Sequence, residues 1–357
     1  MHLRFAEERD REGISKLWIT CFPGDEAFRD YFMKEIFVPN NTFVYTDGDK
    51  VVSMAHILPM EIDYHANVVS AGYIFAVGTD PEYRGRGLAA EVLEQIFKEL
   101  RQRNITIAFL VPQKDSLFDY YKRFGFAEVF SLTKSKLRRD SIPNDTIVDR
   151  FSLVRSSLTA KRPDAIPTSE DISDVNSLFE NVMRHRNHLM RTDIHWKRAV
   201  KIAEIADGGM FLLKDDDKLL GYAVCEIVDG EFLINELFAE DEQSYNTLCA
   251  KVLDEFKMSE AVMLTPACPH DAERFGMARV IDAEKMLAYA AAYRKNMSCE
   301  FVVSDKMCPW NNGKYRVVDS HVTHKENSES KAHITPGQFT DILFGAGPIP
   351  YINLLFS

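Results

Sequence analysis

The sequence predicts an α+β protein with a mixed sheet, in which one order of strands and helices occurs twice and a small α+β unit follows. Short apolar stretches typical of buried strands alternate with amphipathic stretches typical of helices. The element order of the first part of the chain recurs in the middle part. The length of 357 residues allows two or three domains with sizeable cores.

The first part of the chain predicts two helices, three strands, a loop followed by a helix, and then a strand, a helix and a strand. Asp47-Gly48-Asp49 and His65-Ala66-Asn67 are typical of hairpin turns between strands. In chain order we expect a strand at 3–6, helices at 8–22 and 25–38, strands at 42–46, 51–58 and 73–77, a helix at 88–103, a strand at 105–111, a helix at 116–124 and a strand at 126–132.

A basic turn with three glycines lies between the predicted strand 73–77 and the predicted helix 88–103. It reads Gly-Thr-Asp-Pro-Glu-Tyr-Arg-Gly-Arg-Gly-Leu-Ala over 78–89. Glycines allow successive backbone N–H groups to point into one concavity, and the helix that follows adds its unpaired N–H groups and positive dipole end. Arg84 and Arg86 add bidentate donors. The turn therefore predicts a pyrophosphate site, although it lacks the spacing of a P-loop or a dinucleotide fingerprint.

The middle part begins after a predicted linker at 139–167 and repeats the order of the first part. We expect a helix at 169–185, strands at 210–214, 219–228 and 231–239, a helix at 244–256 and a strand at 261–264, followed by residues 273–277. The position of the basic turn is taken by Glu240-Asp241-Glu242-Gln243-Ser244. Carboxylates at a helix N-terminus fill an anion site and repel phosphate, so this copy is predicted to lack the phosphate site.

The last part predicts strands at 299–303 and 314–318, a polar turn at 326–330 and a short helix that ends at Gly345. Thr335 is the expected N-cap, with proline at the first helical position and Gln338 completing a capping box. The final residues 351–357 are mostly apolar, whereas a free tail is usually polar. We therefore expect this tail to pack inward.

Composition narrows the functional classes. The net charge of −11 argues against nucleic-acid binding and favours cationic substrates. The six cysteines have no C-x-x-C spacing, which suggests reduced thiols and a cytoplasmic location. The N-terminus lacks the apolar core of a signal peptide, and no apolar run is long enough to span a membrane. His185, His188 and His195 cluster, but we expect surface or core histidines there and no metal site.

Arg84-x-x-Gly87-x-Ala89, after a strand and before a helix, resembles the acetyl-CoA motif of the GNAT N-acetyltransferases. A second motif of that family is similar to Tyr121-Lys122-Arg123-Phe124-Gly125-Phe126. The resemblance implies that backbone groups of Val77, Gly78 and Thr79 hold the pantetheine arm and thioester carbonyl of acetyl-CoA. It also implies that the pyrophosphate and nearby parts of CoA contact a further set of residues, namely Arg84, Gly85, Arg86, Gly87, Leu88, Ala89 and Ser116.

The whole chain resembles the Eis-like (enhanced intracellular survival) acetyltransferases. That resemblance implies tandem GNAT folds, the second one degenerate, with domains at 1–150 and 151–293 and a small sterol-carrier-protein-like (SCP2-like) domain at 294–357. Asn235-Glu236-Leu237 and Pro309-Trp310-Asn311 are among the points of similarity. The last domain is shorter than is usual in the family, so lipid binding is not carried over. A homo-oligomer is also implied.

The resemblance implies direct attack of an amine on the thioester, with Tyr121 as general acid and the C-terminal carboxylate, here that of Ser357, as base. A tyrosine hydroxyl with a pKa of about 10 can protonate a thiolate whose conjugate acid lies near about 8.5. Water or a carboxylate such as Glu35 or Glu61 is the alternative base. Tyr120 is expected to be core or pocket wall, and His56 a core histidine.

The sequence thus predicts an enzyme that uses acetyl-CoA, without a metal, to acetylate a small cationic amine, with no nucleic-acid or membrane partner. An aminoglycoside-like compound, a polyamine and a lysine or peptide amine are all compatible. The alternatives are a protein lysine acetyltransferase and a non-catalytic acyl-CoA or lipid-binding protein. Replacement of Tyr121 by phenylalanine separates enzyme from binder, since a binder is indifferent to it.

Overall fold

A computed structural model describes residues 1–156, 167–294, 296–326 and 332–355. Part of the predicted linker (157–166), most of the predicted polar turn and Ser357 lie outside these ranges. The strands are β1 (His2–Phe5), β2 (Thr42–Asp47), β3 (Lys50–Tyr64), β4 (Asn67–Thr79), β5 (Ile107–Leu110), β6 (Ala127–Arg138), β7 (Ser152–Ser156), β8 (His188–Leu189), β9 (Gly209–Asp215), β10 (Lys218–Val228), β11 (Glu231–Ala239), β12 (Glu260–Pro266), β13 (Glu273–Val280), β14 (Cys299–Val303), β15 (Gly313–Val318), β16 (His321–Lys325) and β17 (His333–Ile334).

The helices begin and end close to the predicted positions wherever one was predicted. They are α1 (Arg11–Cys21), α2 (Glu26–Glu35), α3 (Leu88–Gln102), α4 (Asp115–Lys122), α5 (Ser169–Met183), α6 (Asp193–Ile205), α7 (Glu242–Glu255), α8 (Ala283–Tyr293) and α9 (Pro336–Phe344). The sequence did not predict α6 and α8. None of the helices in the described ranges is both long and apolar enough to cross a membrane.

The chain forms two compact units, and each is discontinuous in sequence. Unit 1 consists of Met1–Phe130 and Phe275–Gly347. Unit 2 consists of Ser131–Arg274 and the C-terminal segment from Pro348 onward. The domain boundaries predicted after residues 150 and 293 stay predictions.

Unit 1 contains a mixed sheet with the strand order β1-β2-β3-β4-β5-β13. Its pairs are antiparallel except β4 with β5, which run parallel. Helix α3 buries one face, at the spacing that an amphipathic helix requires, against this sheet. The residues of that face are Leu88, Val92, Leu93, Ile96, Phe97 and Leu100.

The rest of unit 1 is a smaller α+β region around a sheet with the order β16-β15-β14-β17. Helix α9 begins with the predicted capping box, in which the Thr335 hydroxyl accepts a hydrogen bond from the Gln338 N–H. Cys308, which precedes β15, belongs to the same apolar core as α3, and Met307 and Trp310 pack against that core. This region is therefore packed into the core of unit 1.

Unit 2 repeats the arrangement with the order β6-β12-β11-β10-β9-β7, in which the β11–β12 pair is parallel. One prediction is wrong here, because part of the expected linker is the edge strand β7, which pairs antiparallel with β9. Residues 273–277 form the start of β13. The C-terminal segment packs inward as expected over its described part, since Tyr351, Ile352 and Asn353 are each 1% exposed.

Candidate active site

The central strand of unit 1 is distorted next to the predicted phosphate-binding turn. In the β3–β4 ladder Met54 pairs with Gly78 but His56 pairs with Phe75, so β4 bulges between them, where Ala76 has a φ of 48°. The parallel ladder with β5 covers only Ala71–Tyr73, while β4 continues to Thr79. The two strands therefore part beside the bulge, which leaves backbone groups of β4 beyond Tyr73 to face a cleft.

The end of β4 is held by side chains that sequence reasoning missed. The Ser53 hydroxyl donates to the Gly78 carbonyl at 3.0 Å, and the Arg84 Nε donates to the Thr79 carbonyl at 3.0 Å. The Cys21 Sγ lies 3.6 Å from the same Thr79 oxygen. Both carbonyls thus have donors within the protein, and Val77, between the bulge and Gly78, is half-buried. No short motif marks Ser53 or Cys21, because both reach β4 through tertiary contacts.

The basic turn has the backbone that a phosphate cradle requires. Gly85 and Gly87 have φ values of 78° and 82°, in the left-handed region that favours glycine. A β-carbon at either glycine would meet no atom of the described chain within 4 Å, so the turn is open around them. Gly87 is the N-cap of α3, whose first N–H groups have no partner within the helix.

The remaining predicted residues of the turn surround this opening. Arg84 and Arg86 are exposed, and Arg86 donates to the Glu82 carbonyl at 3.1 Å while its guanidinium lies over the Tyr83 ring at 4.7 Å. Leu88 is 5% exposed and packs into the core, which leaves its backbone to face the opening. Ala89 is half-buried in the first turn of α3. These features fit the pyrophosphate of CoA, whose anionic oxygens suit N–H groups and guanidinium groups.

Tyr121 lies in α4, which follows the turn, α3 and β5 along the chain. It is 7% exposed and packs against Tyr120 and Phe126, with ring centroids 5.2 and 5.9 Å away. Burial raises the pKa of Tyr121, so the phenol keeps its proton at neutral pH. Burial and the neighbouring Tyr121 also raise the pKa of Tyr73 on β4. Ser116 is exposed in the first turn of α4, and its contact with CoA stays a prediction.

The predicted bases occupy different environments. Glu35 is half-exposed and pairs with Lys34 at 2.9 Å, and Glu61 is exposed on β3. Ser357 is outside the described residues. His56 is buried, its Nδ1 lies 2.8 Å from the Thr42 hydroxyl, and its Nε2 has no partner in the described chain. Burial lowers the pKa of His56 to about 3, so it is a neutral core histidine as expected.

An aromatic group that the sequence did not single out lies beside the bulge. Phe75, which precedes the bulged Ala76, is surrounded by the rings of Trp18, Phe28 and Phe32 at centroid distances of 5.7, 6.1 and 5.5 Å. Asp25 lies in the connection between α1, which carries Trp18, and α2, which carries Phe28. Burial raises the pKa of Asp25. The spacing of aromatic residues in α1 and α2 was visible, but it is equally typical of an ordinary core.

The corresponding turn in unit 2 carries a capping carboxylate, and the predicted lack of a phosphate site there stays a prediction. The Asp241 carboxylate accepts a hydrogen bond from the Ser244 N–H at 2.7 Å and so caps α7. A carboxylate in this place satisfies the N–H that would otherwise bind an anion.

The predicted histidine cluster is also accounted for by protein contacts. His188 lies between the Arg186 carbonyl and the Glu180 carboxylate, and His195 approaches the N-cap Thr192. His185 is exposed. Within the described ranges no group of three or more His, Cys, Asp or Glu side chains is arranged to hold a metal ion.

An open central strand beside a glycine-rich turn and a helix N-terminus defines an acyl-CoA-type transferase fold. Residues 2–129 match the family model of the acetyltransferase (GNAT) domain, and residues 283–353 match that of the sterol carrier protein domain. The chain thus carries a GNAT acetyltransferase domain followed by a sterol carrier protein domain. The predictions of an enzyme of the acetyltransferase class and of this mixed α/β fold are confirmed.

Solved structures of several bacterial proteins share this fold over nearly the whole chain. A probable N-acyltransferase of Enterococcus faecalis V583 is 16% identical with a TM-score of 0.72, covering 95% of this chain and 88% of that one. A GCN5-related N-acetyltransferase of Anabaena variabilis is 18% identical, with a TM-score of 0.70 and coverages of 96% and 89%. Eis1 of Mycobacterium abscessus is 14% identical, with a TM-score of 0.70 and coverages of 97% and 90%. A comparison with curated protein sequences gives no significant match.

Proposed function

We propose that this chain is an Eis-like N-acetyltransferase that transfers the acetyl group of acetyl-CoA directly to a cationic amine. The observation that carries the proposal is the bulged end of β4, which parts from β5 next to the glycine turn at the N-terminus of α3. This arrangement offers backbone N–H groups to a thioester arm and, a few residues on, an anion site for the pyrophosphate.

Acetyl-CoA supplies the activated acyl group when it is bound. The chain's own part is to hold that group with the N–H groups of β4 around Val77 and of the turn 85–89, assisted by Arg84, Arg86 and Ser116. Tyr121 keeps its proton because burial disfavours the phenolate, so it holds the proton that the departing sulfur needs. The carboxylate of Ser357 is proposed to take the proton from the attacking amine, with Glu35, Glu61 or water as the alternative.

The aromatic group and Asp25 support a cationic substrate. Phe75 is part-exposed, as is Phe22, whose ring centroid lies 5.9 Å from that of Trp18 in this group, and aromatic faces attract cations when water is excluded. Asp25 adds a part-buried carboxyl in the same connection, and the net charge of the chain is −11. An aminoglycoside-like compound, a polyamine or a lysine or peptide amine fits this chemistry. We also propose that the protein is a cytoplasmic homo-oligomer that binds neither nucleic acid nor membrane.

The test is CoA-thiol release from acetyl-CoA with a panel of aminoglycosides, polyamines and lysine peptides. We expect Tyr121→Phe to lower kcat about 100-fold or more with little change in acetyl-CoA affinity, because general acid catalysis contributes on that order. Tyr120→Phe is the matched control, since it removes a hydroxyl from the neighbouring residue of α4 and should leave kcat within about twofold.

A chain that lacks Phe356 and Ser357 tests the proposed base. Loss of release with this chain, at unchanged acetyl-CoA affinity, supports the terminal carboxylate. If this chain releases CoA thiol at the wild-type rate, the base is a side chain or water, and the transferase proposal stands. Binding of acetyl-CoA without acetylation of any amine, and with no effect of Tyr121→Phe, would refute the enzymatic proposal in favour of a binding protein.

A further inference from the structure

A buried ion pair joins β13 to the sterol carrier domain. The Arg279 Nη2 donates to both carboxylate oxygens of Asp305, at 2.6 and 2.7 Å, and the two side chains are each 1% exposed. The guanidinium also lies 4.6 Å from the centroid of the Phe97 ring on α3. Because the guanidinium is planar and rigid, a charge-assisted contact at Nη2 restricts where its other nitrogens can lie.

The other end of that guanidinium contacts the turn that follows α4. The Arg279 Nη1 donates to the carbonyl of Phe124, just beyond the end of the helix. In this turn the Phe124 N–H donates to the Tyr121 carbonyl at 2.9 Å, and the Phe126 N–H approaches the same oxygen at 3.4 Å. Arg279 is therefore linked to the backbone of Tyr121 through one intervening residue, Phe124.

Gly125 shows how closely Arg279 fits this turn. Its φ is 80°, and a β-carbon there would lie 2.2 Å from the Arg279 Nη1 and 2.9 Å from the Cβ of Pro336. Glycine is required here for its left-handed backbone and also because the guanidinium fills the space of a side chain. Pro336 begins α9, so the sterol carrier domain contacts the end of α4 from a second direction as well.

Asp305 is held in place independently of Arg279. Its Oδ1 accepts hydrogen bonds from the N–H groups of Met307 and Cys308 at 3.0 and 2.9 Å. Its own N–H donates to the Asn312 Oδ1 at 2.5 Å. The carboxylate is thus preorganised by the turn that precedes β15, and it presents a fixed anchor to Arg279.

We propose that Arg279 and Asp305 are positioning residues for Tyr121, through which the sterol carrier domain sets the place of the acid in the transferase reaction. This inference rests on the proposed function. A helix as short as α4 is marginal on its own, so its position depends on tertiary contacts. A cation at the C-terminal end of the helix satisfies a carbonyl and complements the dipole.

The experiment uses Arg279→Lys and Asp305→Asn in the full chain, each with and without Tyr121→Phe. Lysine keeps the charge but cannot donate to Asp305 and Phe124 in the same plane. We expect either variant to lower kcat about tenfold or more with the KM for acetyl-CoA within about twofold, because small displacements of a reacting group are costly. In the Tyr121→Phe background the same variants should add less than about twofold, since the hydroxyl they position is gone.

Arg4→Lys is the matched control. Arg4 forms a bidentate pair with Asp10 in the same unit, at 2.6 and 3.0 Å, on β1. The substitution Arg4→Lys should leave kcat and the KM for acetyl-CoA unchanged. Equal losses of kcat with and without the Tyr121 hydroxyl would overturn the proposal, because the pair would then act on something other than the acid.

Hydrogen exchange of the amides of 121–126 gives a readout that needs no turnover. Exchange there should quicken in Arg279→Lys and Asp305→Asn but not in Arg4→Lys, in chains whose thermal unfolding shows that they are folded. Unchanged exchange overturns the proposal. If the wild-type chain acetylates no amine, the proposed function fails, and exchange then decides separately whether the pair holds the end of α4.

Discussion

The buried His56 should make unit 1 sensitive to mild acid. Burial lowers the pKa of this histidine from 6.5 to about 3, so the folded protein keeps the ring neutral where the unfolded chain would protonate it. The lowered pKa of His56 therefore contributes in full to the free energy of unfolding above pH 6.5. This contribution is lost as the pH falls from 6.5 toward 3, because the unfolded state binds the proton more tightly.

The magnitude follows from the pKa difference. pH 5.0 lies about 1.5 units below the pKa of the histidine in the unfolded chain. Protonation at this pH therefore stabilises the unfolded chain over the folded one by about 2 kcal/mol. His56→Phe removes the titrating group and suits a site lined by the rings of Trp18, Phe32 and Phe37. The Thr42 hydroxyl still has the Val38 carbonyl as a partner at 3.1 Å.

The assay is urea unfolding at pH 7.5 and pH 5.0, followed by tryptophan fluorescence. The wild-type chain should lose about 2 kcal/mol more of its free energy of unfolding between these pH values than His56→Phe does. His185→Gln is the control, since that imidazole is exposed, and its pH dependence should match the wild type. Identical pH dependence of the wild type and His56→Phe would refute the reasoning.

Two further predictions concern the glycine turn and the core of unit 2. Gly87→Ala should lower the free energy of unfolding by about 1–2 kcal/mol in thermal unfolding, because the φ of Gly87 is 82°. It should also weaken acetyl-CoA binding in calorimetry. Unchanged stability and affinity would show that the turn does not need this conformation. Arg191→Met should destabilise the protein by about 3–5 kcal/mol in urea, because it leaves the fully buried Glu236 without its cation. The double variant with Arg191→Met and Glu236→Met should recover part of the lost free energy of unfolding. An Arg191→Met chain as stable as the wild type would contradict this prediction.

The sequence predicted those parts of the molecule that local spacing decides. The apolar positions of α3, the capping box of α9 and the glycines of the turn 85–87 each express a rule that operates within a few residues. The predicted positions of Tyr121 and the turn agree with the secondary structure, while their roles in binding and catalysis stay predictions.

The features that the sequence did not predict depend on partners far along the chain. Strand β7 reads as a linker because it is short and polar, and only its pairing with β9 makes it a strand. Arg279 lies outside every predicted element, and its partners Asp305 and Phe124 are distant in sequence. Cys21 likewise gains its contact with the Thr79 oxygen from β4. No pattern within one segment could have indicated these contacts.

The interleaved units have a consequence for how the protein is made. Unit 1 needs residues 275–347, and unit 2 needs the segment that begins at Pro348, so neither unit is complete until the ribosome has made these late segments. Glu236, already bonded to Arg191 and Tyr222, receives the Tyr351 hydroxyl at 2.6 Å only then. Most multidomain chains fold their N-terminal domain first during synthesis. Here neither unit can close before its late segment is made, so a chain stalled or cleaved before Phe275 would leave two unfinished cores for the cell's chaperones and proteases.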